Sequence, residues 1–205
     1  MRVLIGCEKS GVIRRAFRAF SIDAWSCDLE PSEDDSPYHI QGDLSHRLND
    51  GWDMLIAHPE CTFLCSSGLH WNCRTPGRAD KTREAIEFAE LLWSAPIERI
   101  AIENPIGCLP TFSELMGYTQ IIQPYEFGHD ASKATCLWLK NLPPLVGTEY
   151  IEPRIVKGKK RWANQTDSGQ NKLPPSATRS AARARAPTKA SPTQWLYNGV
   201  WSNAG

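Results

Sequence analysis

The chain has 205 residues, 41% hydrophobic and 22% charged with 8 Trp, which suits one globular core and excludes two full catalytic domains, a collagen-like chain or a disordered one. No apolar run approaches the length of a bilayer span and residues 1–6 read as a strand rather than a secretory leader, so a cytoplasmic protein without membrane contact is expected. The formal charge of zero hides a division: residues 1–150 carry 13 basic against 21 acidic side chains, and residues 151–205 carry 10 against 2.

Residues 3–6 form a short apolar strand pattern, followed by a turn from Cys7 to Gly11 and then a helix. Within that helix Val12, Ile13, Ala16, Phe17 and Phe20 share one face, and Arg14, Arg15 and Arg18 fall mostly on the other. A second strand over residues 24–27 ends at Asp28. After a polar loop over residues 30–36, an extended piece at 38–41 leads into Gly42 and Asp43. Residues 52–57 read as a buried strand, and a loop rich in Cys, Ser, Gly and His fills residues 58–79. Asp80 is the expected cap of a helix to residue 94, with Ala85, Phe88, Ala89 and Leu92 inside. A strand at 99–102 is expected to stop at Glu103, Asn104 and Pro105. Strands at 120–123 and 135–139 follow, the second a candidate for antiparallel pairing. Beyond residue 141 the pattern dissolves, apart from a short helix expected at 181–185 and an aromatic close at Trp195, Tyr197 and Trp201. There is no internal repeat.

Alternating strands and helices predict an open, mostly parallel Rossmann-like α/β sheet with helices on both faces. Such sheets bind ligands where the loops leave the carboxyl ends of their strands. The chemically distinctive residues fall there: Gly6 to Gly11 after the first strand, Asp28 after the second, Asp43 after the third, His58 to Cys61 after the fourth, and Glu103 to Pro105 after the fifth. Gly6 and Gly11 alone are a weak signal, and Val12 and Ile13 stand where a phosphate-gripping loop needs lysine and a hydroxyl, which excludes P-loop chemistry. A lone Asp28 or Asp43 is more often a solvated loop residue or cap than a ligand.

In order and spacing, these segments resemble the cytosine C5 DNA methyltransferases over roughly residues 2–140. They include the run from Asp53 through His58, Pro59, Glu60 and Cys61 to Gly68, and Ile102, Glu103, Asn104 and Pro105. The likeness is greatest to the small methyltransferase-like proteins of phages, which lack a full target recognition domain. The resemblance implies S-adenosylmethionine as cofactor, held by Gly6, Glu8, Gly11, Asp28, Asp43 and Pro59. It implies Cys61 as the nucleophile that adds at C6 of the ring, Glu103 as the acid at N3, and Asn104 fixing the glutamate's loop. It places Lys133 and Thr135 against the substrate, DNA or a pyrimidine nucleotide, with a duplex base flipped out to reach Cys61; Ser66 is a further candidate contact, and Lys159 and Arg161 of the basic stretch are candidates for its phosphates. The implied division is a catalytic domain over residues 1–145 and a basic, mostly irregular extension over 146–205; no oligomeric state is implied.

The chain departs from that family at three places. Glu60 replaces the proline before the cysteine, where a carboxylate disfavours a thiolate unless it points away or a protonated His58 offsets it. Lys133 stands for one arginine of a later motif, and Thr135 for another. About 60 residues follow Lys140, too few for a full recognition domain. Two uses of the basic tail remain open: phosphate contacts, with Trp162 stacking on a base, or folding back on the acidic body. The competing function is a catalytically inactive module that binds a nucleotide, nucleic acid or partner protein. A metal site is not expected, because His58, Cys61, Cys65, His70 and Cys73 lack finger or ribbon spacing. Seven Cys in a chain of this size read as reduced thiols, with Cys7, Cys27 and Cys108 as core or loop residues and Trp52, Trp93 and Trp138 as core.

Overall fold

The computed structural model describes residues 1–170. The helix expected at 181–185, and Trp195, Tyr197 and Trp201, lie outside them. Four parallel strands form the centre of the sheet: β1 (Arg2–Gly6), β2 (Asp23–Asp28), β4 (Met54–Ala57) and β5 (Arg99–Pro105). With β3 (His39–Gln41), β6 (Gln120–Ile122) and β7 (Thr135–Lys140) they build a seven-stranded sheet in the order β3-β2-β1-β4-β5-β7-β6. Only β7 runs against its neighbours, pairing antiparallel with both β5 and β6. The fold is therefore the Rossmann-like, mostly parallel one that the strand and helix alternation predicts.

Side-chain alternation along the strands divides the core in two. Val3, Ile5, Met54, Ile56 and Ala101 face one way, where α1 (Val12–Ala19) covers them with Ile13 and Phe17. Leu4, Leu55, Ile100 and Ile102 face the other way and pack with Ala89 and Leu92 of α3 (Arg78–Trp93). Trp52 and Trp138 are buried in this second layer, Trp93 packs against it, and Cys27 and Cys108 are buried as well. No helix among the described residues is long and apolar enough to cross a membrane.

Several boundaries differ from expectation. Helix α3 begins at Arg78, because Gly77 at φ 73° supplies a left-handed turn ahead of it. Asp80 thus lies in the first turn and pairs with Arg83 rather than capping the helix. β5 does not stop at Ile102. Pairing of Glu103 with Leu137, Asn104 with Cys136 and Pro105 with Thr135 carries the strand onward, and Pro105 ends it. Periodicity also passes over two one-turn helices, α2 (Ser66–Leu69) and α4 (Leu109–Phe112), too short to repeat a face.

The extension is not wholly irregular. β8 (Arg154–Val156) and β9 (Lys159–Arg161) form a hairpin whose two turn residues, Lys157 and Gly158, both have positive φ. The segment after it docks on the body: Trp162 stacks on Tyr125 at 4.3 Å, Asn164 exchanges two hydrogen bonds with the Ser132 backbone, and the Ala163 N–H donates to Asp130.

One buried charge ties α1 to β2. The Arg14 side chain is 1% exposed and donates from one guanidinium nitrogen to the Ser26 hydroxyl and from another to both oxygens of Asp34. Burial by itself would raise the Asp34 pKa, but hydrogen bonds from Ser32, Arg14 and Arg15 outweigh it and hold the carboxyl well below the usual range. Its contribution is therefore present at pH above the unfolded-state value near 4 and is lost as acid titrates the folded carboxylate. Asp34→Ala strands the Arg14 charge and should cost about 2 kcal/mol at pH 7, discounted for the partial exposure of Asp34, with a smaller difference below pH ~3. Urea denaturation of both proteins across pH checks this.

Candidate active site

The carboxyl ends of β1, β4 and β5 are tied side to side. The His58 N–H donates to the Gly6 carbonyl at 3.1 Å, and the Asn104 side-chain amide donates to the Pro59 carbonyl at 2.9 Å. On the other flank the Cys7 N–H binds the Cys27 carbonyl, and the Gly42 N–H binds the Asp28 carbonyl. The order of the strands reverses between β1 and β4, so this row of ends is the topological switch point where open α/β sheets take their ligands.

On the β1 flank, Asp28 and Asp43 gather around the glycine turn. The Cys7 thiol is pushed up to about 12, by burial first and then by the charges of Asp28, Cys27 and Asp43. The half-buried Asp28 carboxylate accepts from the Glu30 N–H, and the exposed Asp43 accepts from Ser45, which lowers its pKa. Two acids facing one turn suit the hydroxyls and positive groups of a nucleoside sulfonium, so these residues fit the cofactor implied by the resemblance. Glu8 takes a different place from the one expected. It is fully buried and its carboxylate accepts the Ile13 and Arg14 N–H groups at the start of α1, while burial raises its pKa. It organises the turn from inside rather than reaching a ligand. A Cβ on Gly6 would sit 2.3 Å from a terminal methyl of Leu44 and force that side chain to shift, while Gly11 is favoured by a φ of 65°.

On the β5 flank, the loop after β4 presents Cys61 at the surface. The protein packed behind it raises the thiol pKa; Cys65 and Glu103 add to the rise, and Lys133 opposes it. Glu103 and Lys133 therefore both act on Cys61, in opposite senses. The same Glu103 charge adds to the effect of burial in pushing Cys136 up to about 11. The Glu60 carboxylate accepts from the Thr62 hydroxyl at 2.7 Å.

Four expected substrate contacts fall elsewhere. Thr135 is buried at the start of β7 with its hydroxyl on the Lys133 carbonyl. Ser66 has an exposed surface, but its hydroxyl and N–H both bind the Ile106 carbonyl. Arg161 donates to the carbonyls of Lys160, Asp167 and Ser168, bracing the end of the hairpin. Trp162 is buried against Tyr125 and presents no free face for a base. Lys157, Lys159 and Lys160 are exposed, and among the described residues no ion pair joins residues 154–161 to a carboxylate of the body. Among the described residues no three His, Cys, Asp or Glu side chains are grouped to hold a metal ion.

Sequence reading missed Gly107. The Cys108 N–H binds the Leu64 carbonyl at 2.8 Å, and a Cβ on Gly107 would lie 2.0 Å from that oxygen. This contact stitches the Cys61 loop to the loop after β5. Nothing local distinguishes Gly107 from a turn glycine, because the atom it must avoid lies 43 residues earlier.

No protein-family model matches the sequence, and no curated protein is similar to it by sequence. Among solved structures, one described as a DNA modification methyltransferase encoded within an E. coli prophage is 12% identical, with a TM-score of 0.43, over 68% of this chain and 46% of that one. The S. pombe Dnmt2 methyltransferase is 18% identical, with a TM-score of 0.44, over 71% and 51%. The Entamoeba histolytica methyltransferase EhMeth is 16% identical, with a TM-score of 0.46, over 74% and 58%. The chain spans about half the length of these structures.

The bond from Asn104 to Pro59 is buried, so Asn104→Ala leaves a carbonyl without its donor. A loss of about 1–3 kcal/mol in unfolding free energy is expected, together with faster alkylation of Cys61 by a soluble thiol reagent as its loop loosens. Chemical denaturation and mass spectrometry of the alkylated peptide measure the two effects.

Proposed function

We propose that this chain transfers a methyl group from S-adenosylmethionine to C5 of a cytosine, or a related pyrimidine, in DNA or a nucleotide. The observation that carries the reading is the frame holding the Cys61 loop to the strand end of Glu103 and Asn104, within which the thiol and the carboxyl act on each other. A pyrimidine C5 is a weak nucleophile, and a sulfur adding at C6 makes it an enamine. Cys61 supplies that sulfur: its thiolate forms the S–C6 bond, and the displaced electron pair is met by a proton from Glu103 at N3. S-adenosylmethionine, when bound beside Asp28 and Asp43, supplies the electrophilic methyl group. A water molecule then takes the C5 proton, the S–C6 bond breaks with its electron pair returning to the Cys61 sulfur, and N3 gives its proton back to Glu103.

Burial raises the resting thiol pKa of Cys61, and Lys133 opposes that rise. The reaction should therefore quicken as pH rises above 7. Transfer of labelled methyl to DNA and to deoxycytidine nucleotides tests the proposal: Cys61→Ala abolishes transfer while leaving cofactor affinity unchanged. Cofactor or nucleotide binding with no transfer by the wild type, at any pH from 7 to 9.5, would support the binding-module reading instead.

The substrate's phosphates fit the hairpin. Lys157, Lys159 and Lys160 project from a short ribbon braced by the Tyr125–Trp162 stack, beside the loop that carries Lys133. Replacing all three with Glu should weaken DNA binding by roughly tenfold or more at low salt and flatten its salt dependence, without changing cofactor affinity. Fluorescence anisotropy with a labelled oligonucleotide at several salt concentrations reads both effects.

A further inference from the structure

His58 has a place in the site and no role in the chemistry above. Its side chain is 6% exposed at the end of β4, with Nδ1 3.4 Å from Glu103 Oε2. Its Nε2 is shut off from solvent and has no hydrogen-bond partner among the described residues. The surroundings are apolar: a cavity of about 10 Å³ is lined by His58 and Glu103 together with Ile56, Ile122, Leu137 and Leu145. An aliphatic side chain would pack there without leaving a polar atom unmet, so the imidazole needs a reason. Its backbone bond to Gly6 fixes the end of β4 against the glycine turn.

The hydrogen-bond chemistry selects one tautomer. Oε2 of Glu103 only accepts, whether the carboxyl is ionised or carries its proton on Oε1 for the ring, so Nδ1 meets it only when it carries the proton. The orphan Nε2 is then a bare lone pair, which costs less in a dry interior than an unmet N–H. We propose that His58 is a positioning residue for Glu103: its Nδ1–H holds Oε2 of the carboxyl and leaves Oε1 for the substrate ring. The contact and the tautomer stand on geometry alone, while their catalytic consequence rests on the methyl-transfer reading.

Nitrogen-15 spectra of the full chain test the contact without any turnover. The chain has five His, and the His58 signal is the one lost in His58→Asn. An Nδ1-protonated ring whose signals move in Glu103→Ala is expected; an Nε2-protonated ring, or signals indifferent to Glu103→Ala, overturns the proposal. In methyl transfer, His58→Asn places an amide N–H near the position of Nδ1 and should keep kcat within about threefold. His58→Leu should lower kcat by about tenfold or more with the KM for cofactor unchanged. Equal losses in the two variants would sink the positioning role. If His58→Leu fails to fold, the spectra of wild type and Glu103→Ala decide the matter. A wild type that transfers nothing, yet shows the Nδ1 tautomer responding to Glu103→Ala, leaves the contact standing and removes the methyl-transfer reading.

Discussion

The site depends on one buried hydrogen bond, from the Asn104 amide to the Pro59 carbonyl, spanning 45 residues of sequence. A loop leaving a parallel strand has few means of its own to fix a reactive side chain, since its backbone turns away from the ladder. Here the neighbouring strand is prolonged by antiparallel pairing with β7, so Asn104 stays in regular structure and acts as a strut. A second tie, at Gly107 and Leu64, holds the far side of the same loop. Between them, Cys61 is displayed at the surface on a foundation that belongs to the sheet.

The two flanks of the switch point are built by different physics. Around the glycine turn, buried backbone groups and acids set the local order: Glu8 caps α1 from inside, while Asp28 and Asp43 raise the thiol of Cys7. On the other flank, one lysine stands against a carboxyl and two sulfurs. That asymmetry suits a positively charged donor on one side and an electron-accepting ring on the other.

Much of this was legible in the sequence. The short apolar runs, the turn residues after them and the amphipathic α1 gave the strand order its raw material, and Asp28, Asp43 and Cys61 fall at or just beyond strand ends as expected, whereas Glu103 lies inside β5. What escaped depends on distant partners. The continuation of β5 through Pro105 comes from pairing with a strand 30 residues later, and the start of α3 from a glycine whose φ no periodicity reports. Thr135, Ser66, Arg161 and Trp162 had the right chemistry for substrate, but each is occupied by a backbone carbonyl or a neighbouring ring. Residue type shows what a side chain is able to do; only packing shows whether it is at liberty to do it.

The stacked pair of Tyr125 and Trp162 has a wider consequence. Together with the exchange between Asn164 and Ser132, it makes the basic ribbon and the Lys133 loop a single mechanical unit, although 25 residues lie between Lys133 and the start of β9 at Lys159.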